Sequence, residues 1–377
     1  MERIIDIIES IANEKKLEIE DVKERVVAAI TNTAKKIYGY EFDYDVTFDA
    51  VSKTIKLYQK ILVLDNEDDR LEVECKNFIS LSEAKKIDPS LEVDDALTYE
   101  LNFDNLGRTA AGILSKELDY HIQKLIEEKI FEKYKQKIGK IIFGVVTHID
   151  SDENTFIEVD DIKAIMPRKN RIKGEKFKVG SVVKAVIKNV YMDKIYGVKV
   201  EISRTTPKFL EALLSAEVPE IKDGSVIIQA SSRIPGERAK VAVTSTSPNI
   251  DPVGATVGTK GVRINAVSSE LNGENIDVME FAAQPEIFIS RAMSPAIVSS
   301  VKIEDKKAII SLVGEQKSKA IGKSGINIRL ASMLTGYEIE LNEIVKNSEA
   351  TTSRKDIKHE ETKSHDLTDL KKLFGNI

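Results

Sequence analysis

Helical and strand-like patterns alternate along the first third of the chain. The first eleven residues place isoleucines on one helical face, and a second helical pattern runs from about 20 to 38, where Gly39 follows it. Alternating apolar and polar positions then favour short strands at 45–48, 54–64 and 70–75. Helical spacing returns from 106 to 137 without a proline, which predicts one long connector helix. We therefore expect a head made of helices and a small sheet.

The pattern changes to short strands beyond this helix. They are predicted at 141–149, 156–159, 164–166, 182–190 and 196–202. Five short strands separated by turns are typical of a small OB-type barrel. A helix at 208–216 follows, and the order then reads strand, strand, helix, glycine turn, helix, strand. A similar unit recurs from about 285 to 345, which indicates an internal duplication.

Each of these repeated units contains a Gly-x-x-Gly turn, and the two turns begin 64 residues apart. A single turn of this kind is a weak signal, since many are ordinary helix boundaries. A glycine turn before a helix brings bare backbone N–H groups up to a phosphate, and two in tandem favour the KH mode of single-stranded RNA binding. The residues that we predict to contact RNA are Gly258, Thr259, Lys260, Gly261 and Arg263 in the first unit, and Gly322, Lys323, Ser324, Gly325, Asn327 and Arg329 in the second.

Basic residues crowd one connection of the predicted barrel. Arg168, Lys169 and Arg171 are predicted to contact RNA here, although a basic loop is more often simply solvated. Aromatic rings near them could stack on bases, and we expect at least half of these rings to lie in the core instead. The rings are Phe143, His148, Phe156 and Tyr191.

Charge is distributed unevenly along the chain. The net charge of the whole chain is −6, which by itself argues weakly against a nucleic-acid ligand. Residues 1–137 carry a net charge of −9, whereas residues 138–205 carry +4. An acidic head and a basic middle suggest a protein partner at one end of the chain and RNA further along it.

Two other kinds of site that the sequence suggests are excluded by residue spacing or by a missing glycine. The segment at 322–324 lacks the earlier glycine of a phosphate-binding NTPase loop, because Lys317 stands there. The acidic run after Asp150 begins like a calcium loop but has Thr155 where that loop turns on glycine. Since no catalytic constellation is present, we expect no enzyme, cofactor or metal site. With Cys75 as the single cysteine and no apolar run long enough to span a membrane, we expect a cytoplasmic protein.

Several longer strings resemble one family closely. They are Ser203–Pro207, Glu217–Ile221, Pro235–Val243, Asp251–Ala255, Glu270–Asp277, Ala320–Gly322 and Asn327–Ala331. They resemble the bacterial NusA family, and the resemblance covers about residues 138–345. The head is similar in layout, and Leu106–Ala111 resembles the helix start of that family. Leu106 stands in place of the usual phenylalanine and Gly112 in place of the usual glutamine.

The resemblance implies an α+β multidomain protein with a helical/β head, an S-one-type OB-fold β-barrel and two tandem type II KH domains. The expected divisions are an RNA-polymerase-binding head at 1–137, the barrel at 138–205, the KH domains at 206–283 and 284–345, and a polar tail at 346–377. The implied activity is modulation of transcriptional pausing, termination and antitermination. The implied partners of a monomeric protein are the flap region of the polymerase β subunit, the C-terminal domain of its α subunit, nascent single-stranded RNA and other Nus factors.

A second function stays open beside this one. KH and OB modules also occur together in non-catalytic RNA-binding scaffolds of RNA decay or ribosome maturation. In the exoribonuclease that carries both modules, however, the KH module precedes the barrel and a catalytic domain comes before them. The order is reversed in this sequence.

Overall fold

The protein is described by a computed structural model over residues 4–49, 54–71, 77–101, 107–160, 162–193 and 197–344. The chain divides into two compact units. The first contains residues 1–228, 233–239 and 245–276, and the second contains 229–232, 240–244 and 277–377. The first unit thus holds the head, the barrel and most of the first KH module, and the second holds the second KH module together with parts of three earlier strands.

Helices and a small sheet form the head. Its elements are α1 (Ile4–Lys15), α2 (Ile19–Tyr38), β1 (Asp43–Asp49), β2 (Thr54–Leu64), β3 (Phe78–Ser80), α3 (Leu81–Ile87), β4 (Ala96–Leu101) and α4 (Gly107–Lys135). Strand β2 pairs antiparallel with β1 and β4 and parallel with β3. Helix α2 buries Val22, Val26 and Ile30, and Ile122 and Leu125 of α4 join them in one apolar cluster. This stripe at helical spacing is what fixes α2 against α4.

The predicted helices of the head are confirmed, but one predicted strand is not. At 70–75 the start is wrong, because Asp69–Leu71 form a turn of 3-10 helix. The Asp68 carboxylate closes that turn by accepting the Arg70 amide at 2.9 Å. The remainder of this strand, Cys75 and the predicted tail at 346–377 lie outside the described residues.

Five strands close into the predicted barrel. They are β5 (Ile141–Ile149), β6 (Thr155–Val159), β7 (Ile162–Met166), β8 (Val182–Asp193) and β9 (Gly197–Ser203). Their order around the barrel is β5-β6-β7-β9-β8, and β8 pairs with β5 to close it. Alternate positions of β5, such as Ile142 and Val146, fill the interior. Tyr134 near the end of α4 belongs to the same core, so the connector helix packs on the barrel.

Two α/β modules follow the barrel, and their elements come in the same order except for one additional short helix in the first. The first contains α5 (Pro207–Glu217), α6 (Pro219–Lys222), β10 (Val226–Ile234), β11 (Arg238–Ser245), α7 (Pro252–Val257), α8 (Val262–Glu270) and β12 (Asn275–Glu280). The second contains α9 (Pro285–Ala292), β13 (Ser300–Glu304), β14 (Lys307–Val313), α10 (Gly314–Ile321), α11 (Ile326–Thr335) and β15 (Glu338–Ile344). Each forms a three-stranded sheet, and β14 pairs antiparallel with β13 and parallel with β15. The predicted duplication and the α+β fold class are confirmed.

The second KH module shares its core with the middle of the preceding sheet. Ala242 of β11 lies in one cluster with Ile310, Leu312 and Leu334. Ser232 Oγ of β10 donates to the Leu330 carbonyl at 2.9 Å. These contacts explain why short pieces of β10 and β11 belong to the second compact unit. Among the described helices, none is both long and apolar enough to cross a membrane.

Candidate nucleic-acid interface

The two glycine turns adopt the same backbone conformation. In the first turn, Gly258, Lys260 and Gly261 have φ angles of 75°, 53° and 76°. The second turn repeats this pattern at the equivalent positions, with φ angles of 72°, 53° and 74°. Positive φ favours glycine, so the motif is required by the backbone. In both turns the amides of the two central residues donate no hydrogen bond to a described residue, which leaves them available to an anion.

The first and last glycines of each turn have different surroundings. A Cβ on Gly258 would lie 2.8 Å from the Arg263 side chain, and a Cβ on Gly322 would lie 3.0 Å from the backbone nitrogen of Asn327. A Cβ on Gly325, by contrast, would meet no atom of the described residues within 4 Å. The first glycine therefore lets the turn close against its own helix, and the last glycine of the second turn leaves a face open to a ligand.

Arg263 and Asn327 occupy equivalent positions, two residues after the last glycine, and both reach back to the preceding helix. Arg263 Nη1 donates to the Ala255 carbonyl at 2.6 Å and pairs with Glu220 at 2.8 Å. Asn327 is buried, and its Nδ2 donates to three carbonyls. These belong to Met293 at 3.1 Å, Lys319 at 3.3 Å and Ala320 at 3.1 Å. Both side chains therefore brace the turns, and direct RNA contact by either of them stays a prediction.

We expect Asn327→Ala to lower the free energy of unfolding of the second module by about 1–3 kcal/mol, because the carbonyls of Met293, Lys319 and Ala320 lose their donor. Asn327→Asp keeps the size of the side chain but places an acceptor against those carbonyls, so it should destabilise at least as much. Urea unfolding of the full chain measures both variants. An unchanged midpoint for Asn327→Asp would contradict the bracing role.

The remaining predicted residues of the two turns are exposed. They are Thr259, Lys260, Lys323, Ser324 and Arg329. Lys260, Lys323 and Arg329 make no hydrogen bond or ion pair with any residue that the structure describes. Among the described residues, the first turn thus presents one uncommitted cation and the second presents two, beside amides that have no described partner either. Such a combination can hold the phosphates of a single strand.

Asn170 fixes the basic turn of the barrel, Arg168–Asn170, which is one turn of 3-10 helix. The side chain of Asn170 is buried, and its Nδ2 donates to Glu201 Oε1 at 2.7 Å and to the Ile202 carbonyl at 3.1 Å. Its Oδ1 accepts from Lys188 at 3.1 Å. Although burial of the carboxylate opposes it, hydrogen bonds from Asn170 and Lys188 hold the pKa of Glu201 below its usual value. The turn is therefore anchored from below by a charged network.

The three predicted basic residues of the barrel are not equally available. Arg171 pairs with Glu153 at 2.6 Å, and only 14% of its side chain is exposed. Arg168 reaches the same carboxylate at 3.2 Å but remains 71% exposed. Lys169 is exposed and lies near enough to Glu201 to help lower the pKa of that carboxyl. Arg168 and Lys169 can meet a ligand, whereas Arg171 mainly holds the hairpin tip against the turn.

The expectation that at least half of the four barrel rings lie in the core is wrong. Phe143 is 59% exposed, Tyr191 is 39% exposed and His148 is also exposed. Phe156 is half-buried and stacks on His148 with ring centroids 5.7 Å apart. Strand alternation is the reason, because the neighbours of these rings fill the barrel and the rings themselves face outwards.

The acidic hairpin tip after Asp150 is closed by hydrogen bonds of its own. The Asp150 carboxylate accepts from the Asn154 side chain at 2.9 Å and from the amides of Asp152 and Asn154. These bonds, that of the Asn154 side chain first, lower the pKa of Asp150. Over the described ranges, no cluster of three or more potential metal ligands occurs.

A buried arginine joins the barrel to the first KH module, and the hydropathy pattern does not reveal it. Arg204 is 5% exposed and pairs with Glu175 of the barrel at 2.7 Å and with Glu270 of α8 at 2.9 Å. It also donates to the Lys184 carbonyl of β8 and lies 5.0 Å from the ring centroid of Phe209. One guanidinium thus satisfies groups from both modules.

A second buried pair supports this joint. Arg233 Nε donates to Glu274 Oε1 at 2.8 Å, and both side chains are fully buried. Arg233 Nη1 donates to the Arg204 carbonyl at 2.7 Å, and the Gly236 amide donates to Glu274 at 2.9 Å. Burial raises the pKa of Glu274 and lowers that of Arg233, against the attraction between them. The pair ties the first KH sheet to the segment that leaves the barrel.

Comparison with known proteins agrees with this arrangement. The sequence model of the NusA N-terminal domain matches residues 3–127, and those of the NusA-like first and second KH domains match residues 204–281 and 285–349. The transcription termination/antitermination protein NusA of Helicobacter pylori J99 is 40% identical, with all of both chains covered. The protein of the same name from Thermus thermophilus is 37% identical, over 90% of this chain and 89% of the Thermus chain. The one from Bacillus subtilis is 31% identical, over 90% of each chain. The chain belongs to the NusA family.

Proposed function

We propose that the chain is an RNA-binding transcription elongation factor that binds RNA polymerase and nascent RNA and modulates pausing, termination and antitermination. The observation that carries this proposal is the pair of glycine turns. They share one backbone conformation, they stand before helices of two like modules, and they present unpaired amides beside uncommitted cations. This arrangement suits the backbone of a single strand rather than a duplex.

In this proposal, the acidic head and the modules that follow it bind different partners. The head at 1–137 would bind polymerase, at the flap region of the β subunit and the C-terminal domain of the α subunit. The barrel at 138–205 and the KH modules at 206–283 and 284–345 would hold RNA, and other Nus factors would join the complex. The protein would act in the cytoplasm as a monomer, without catalysis and without a cofactor. The net charge of −9 on the head supports this division, since it repels a polyanion.

We expect the head to retrieve polymerase without binding RNA. A tagged fragment of residues 1–137, which keeps all of α4, should co-purify with core polymerase from cell extract, as should the full chain. The fragment should show no measurable affinity for single-stranded RNA, because it lacks both turns and the barrel. A fragment of residues 138–345 is the control, and it should bind RNA and not polymerase.

Two outcomes would contradict this division. If residues 138–345 captured polymerase and the head did not, the polymerase contact would lie outside the head, against the proposal. Capture of ribosomal subunits or RNA-decay enzymes by the full chain, with no polymerase, would favour the scaffold function instead.

A further inference from the structure

The constant offset of 64 residues between the turns pairs Asn265 of α8 with Arg329 of α11. Each lies four positions after the last glycine of its turn, and residues four apart share one face of a helix. Both are exposed, and neither side chain has a hydrogen bond or an ion pair with a described residue. They therefore lie on the face of each helix that is next to the last glycine.

The two side chains lie at different distances from the last glycine of their turns. The Asn265 amide nitrogen lies 3.3 Å from the position that a Cβ on Gly261 would take. In the part of the chain that the structure describes, no atom lies within 4 Å of the corresponding position on Gly325, although arginine is the longer side chain. Asn265 thus covers the glycine face of the first turn, and Arg329 leaves that of the second turn open.

Charge separates the turns in the same direction. At the first turn, Arg263 is paired with Glu220 at 2.8 Å, so Lys260 is the uncommitted cation there. At the second turn, both Lys323 and Arg329 are uncommitted. A guanidinium carries donors only and suits a phosphate, which accepts. A primary amide carries a donor and an acceptor side by side and suits the edge of a nucleobase.

We propose that the two KH modules divide recognition, with Asn265 a specificity-determining residue that binds the edge of a nucleobase at the first turn and Arg329 a residue that holds a backbone phosphate at the second. This inference rests on the proposed RNA binding and adds to it an assignment of sequence preference. The first module then sets which strand is preferred, and the second supplies affinity that does not depend on sequence.

The test compares the affinities of the full chain for short homopolymers of adenylate, uridylate and cytidylate over a series of salt concentrations. Arg329→Asn should lower the slope of log affinity against log salt by about 0.7, the value for one phosphate contact with a single strand. It should leave the ratios between the three polymers unchanged. Asn265→Ala should move those ratios towards one and leave the slope unchanged, and Asn265→Arg should raise the slope by about 0.7.

Conservative variants serve as matched controls. Arg329→Lys should keep the slope, and Asn265→Gln should keep the ratios. Lys306→Asn removes one charge from the exposed turn between β13 and β14 and should change neither. Unchanged ratios in Asn265→Ala, an unchanged slope in Arg329→Asn, or equal binding of all three polymers by the wild-type chain would overturn the inference while RNA binding stands. No binding of any polymer by the wild-type chain would overturn the proposed function as well.

Discussion

Gly325→Asp is expected to lower the affinity of the full chain for single-stranded RNA by about tenfold or more, and the positive φ of this position should cost about 1–2 kcal/mol of stability. A side chain at this position meets no atom within 4 Å, so it enters the space that a phosphate would occupy. Its carboxylate then repels the phosphate, and about 1.4 kcal/mol of lost interaction corresponds to a tenfold change in affinity. Because the first turn still binds RNA, the affinity should fall without being abolished. Fluorescence anisotropy with a labelled single strand measures the change.

Two alanine variants separate the loss of binding from damage to the turn. Gly325→Ala imposes the same positive φ without the charge, so it should retain most of the affinity. Gly322→Ala places its Cβ 2.8 Å from that of Asn327, which should lower the melting temperature of the second module. The proposed RNA contact of the second turn is wrong if Gly325→Asp binds RNA as tightly as Gly325→Ala does at the same melting temperature.

Periodicity predicted most of the elements because burial on one face dictates it. The long helix α4 and the five barrel strands lie within a few residues of their predicted bounds, since each has one face in a core. The strand predicted at 70–75 failed at its start for a local reason. The Asp68 carboxylate accepts a hydrogen bond from the Arg70 amide, and this bond outweighed a weak alternation of apolar residues.

The roles of residues within the turns could be predicted only in part. The glycines follow from the backbone, and the equivalence of the two turns follows from their offset of 64 residues. Whether a polar residue two positions further on faces a ligand or the preceding helix depends on carbonyls that are distant in sequence. Asn327 lies at 2% exposure because Met293, 34 residues earlier, offers such a carbonyl. The sequence does not single out Asn265, because only the structure places its amide against Gly261.

The burial of charged residues is the feature that the sequence predicts least. Arg204, Arg233, Lys240 and Glu274 are all nearly or fully buried, yet a hydropathy pattern assigns charged residues to the surface. Each has an ion-pair partner, as Lys240 has in Asp277 at 3.2 Å. The partner comes from another element, so no spacing rule predicts the pair.

Glu274→Ala should therefore be the most destabilising of the single changes considered for the first unit, at about 3–5 kcal/mol. It removes the carboxylate that two atoms of the chain depend on, Arg233 Nε and the Gly236 amide, and leaves a guanidinium charge buried without its counter-ion. Because Arg233 also holds the Arg204 carbonyl, the damage should extend to the joint between the barrel and the first KH module. Thermal or urea unfolding of the full chain measures the loss.

An exposed ion pair in the same module provides the matched control. Lys208 pairs with Glu211 at 2.7 Å but is 69% exposed, so Lys208→Ala should cost about 0–1 kcal/mol. The double variant Arg233→Met/Glu274→Ala should recover part of the stability that Glu274→Ala loses, because the uncompensated charge is then gone. It should not recover all of it, since the Arg204 and Thr206 carbonyls lose the donor that Arg233 provides. If Glu274→Ala costs no more than Lys208→Ala, the buried pair does not hold this joint.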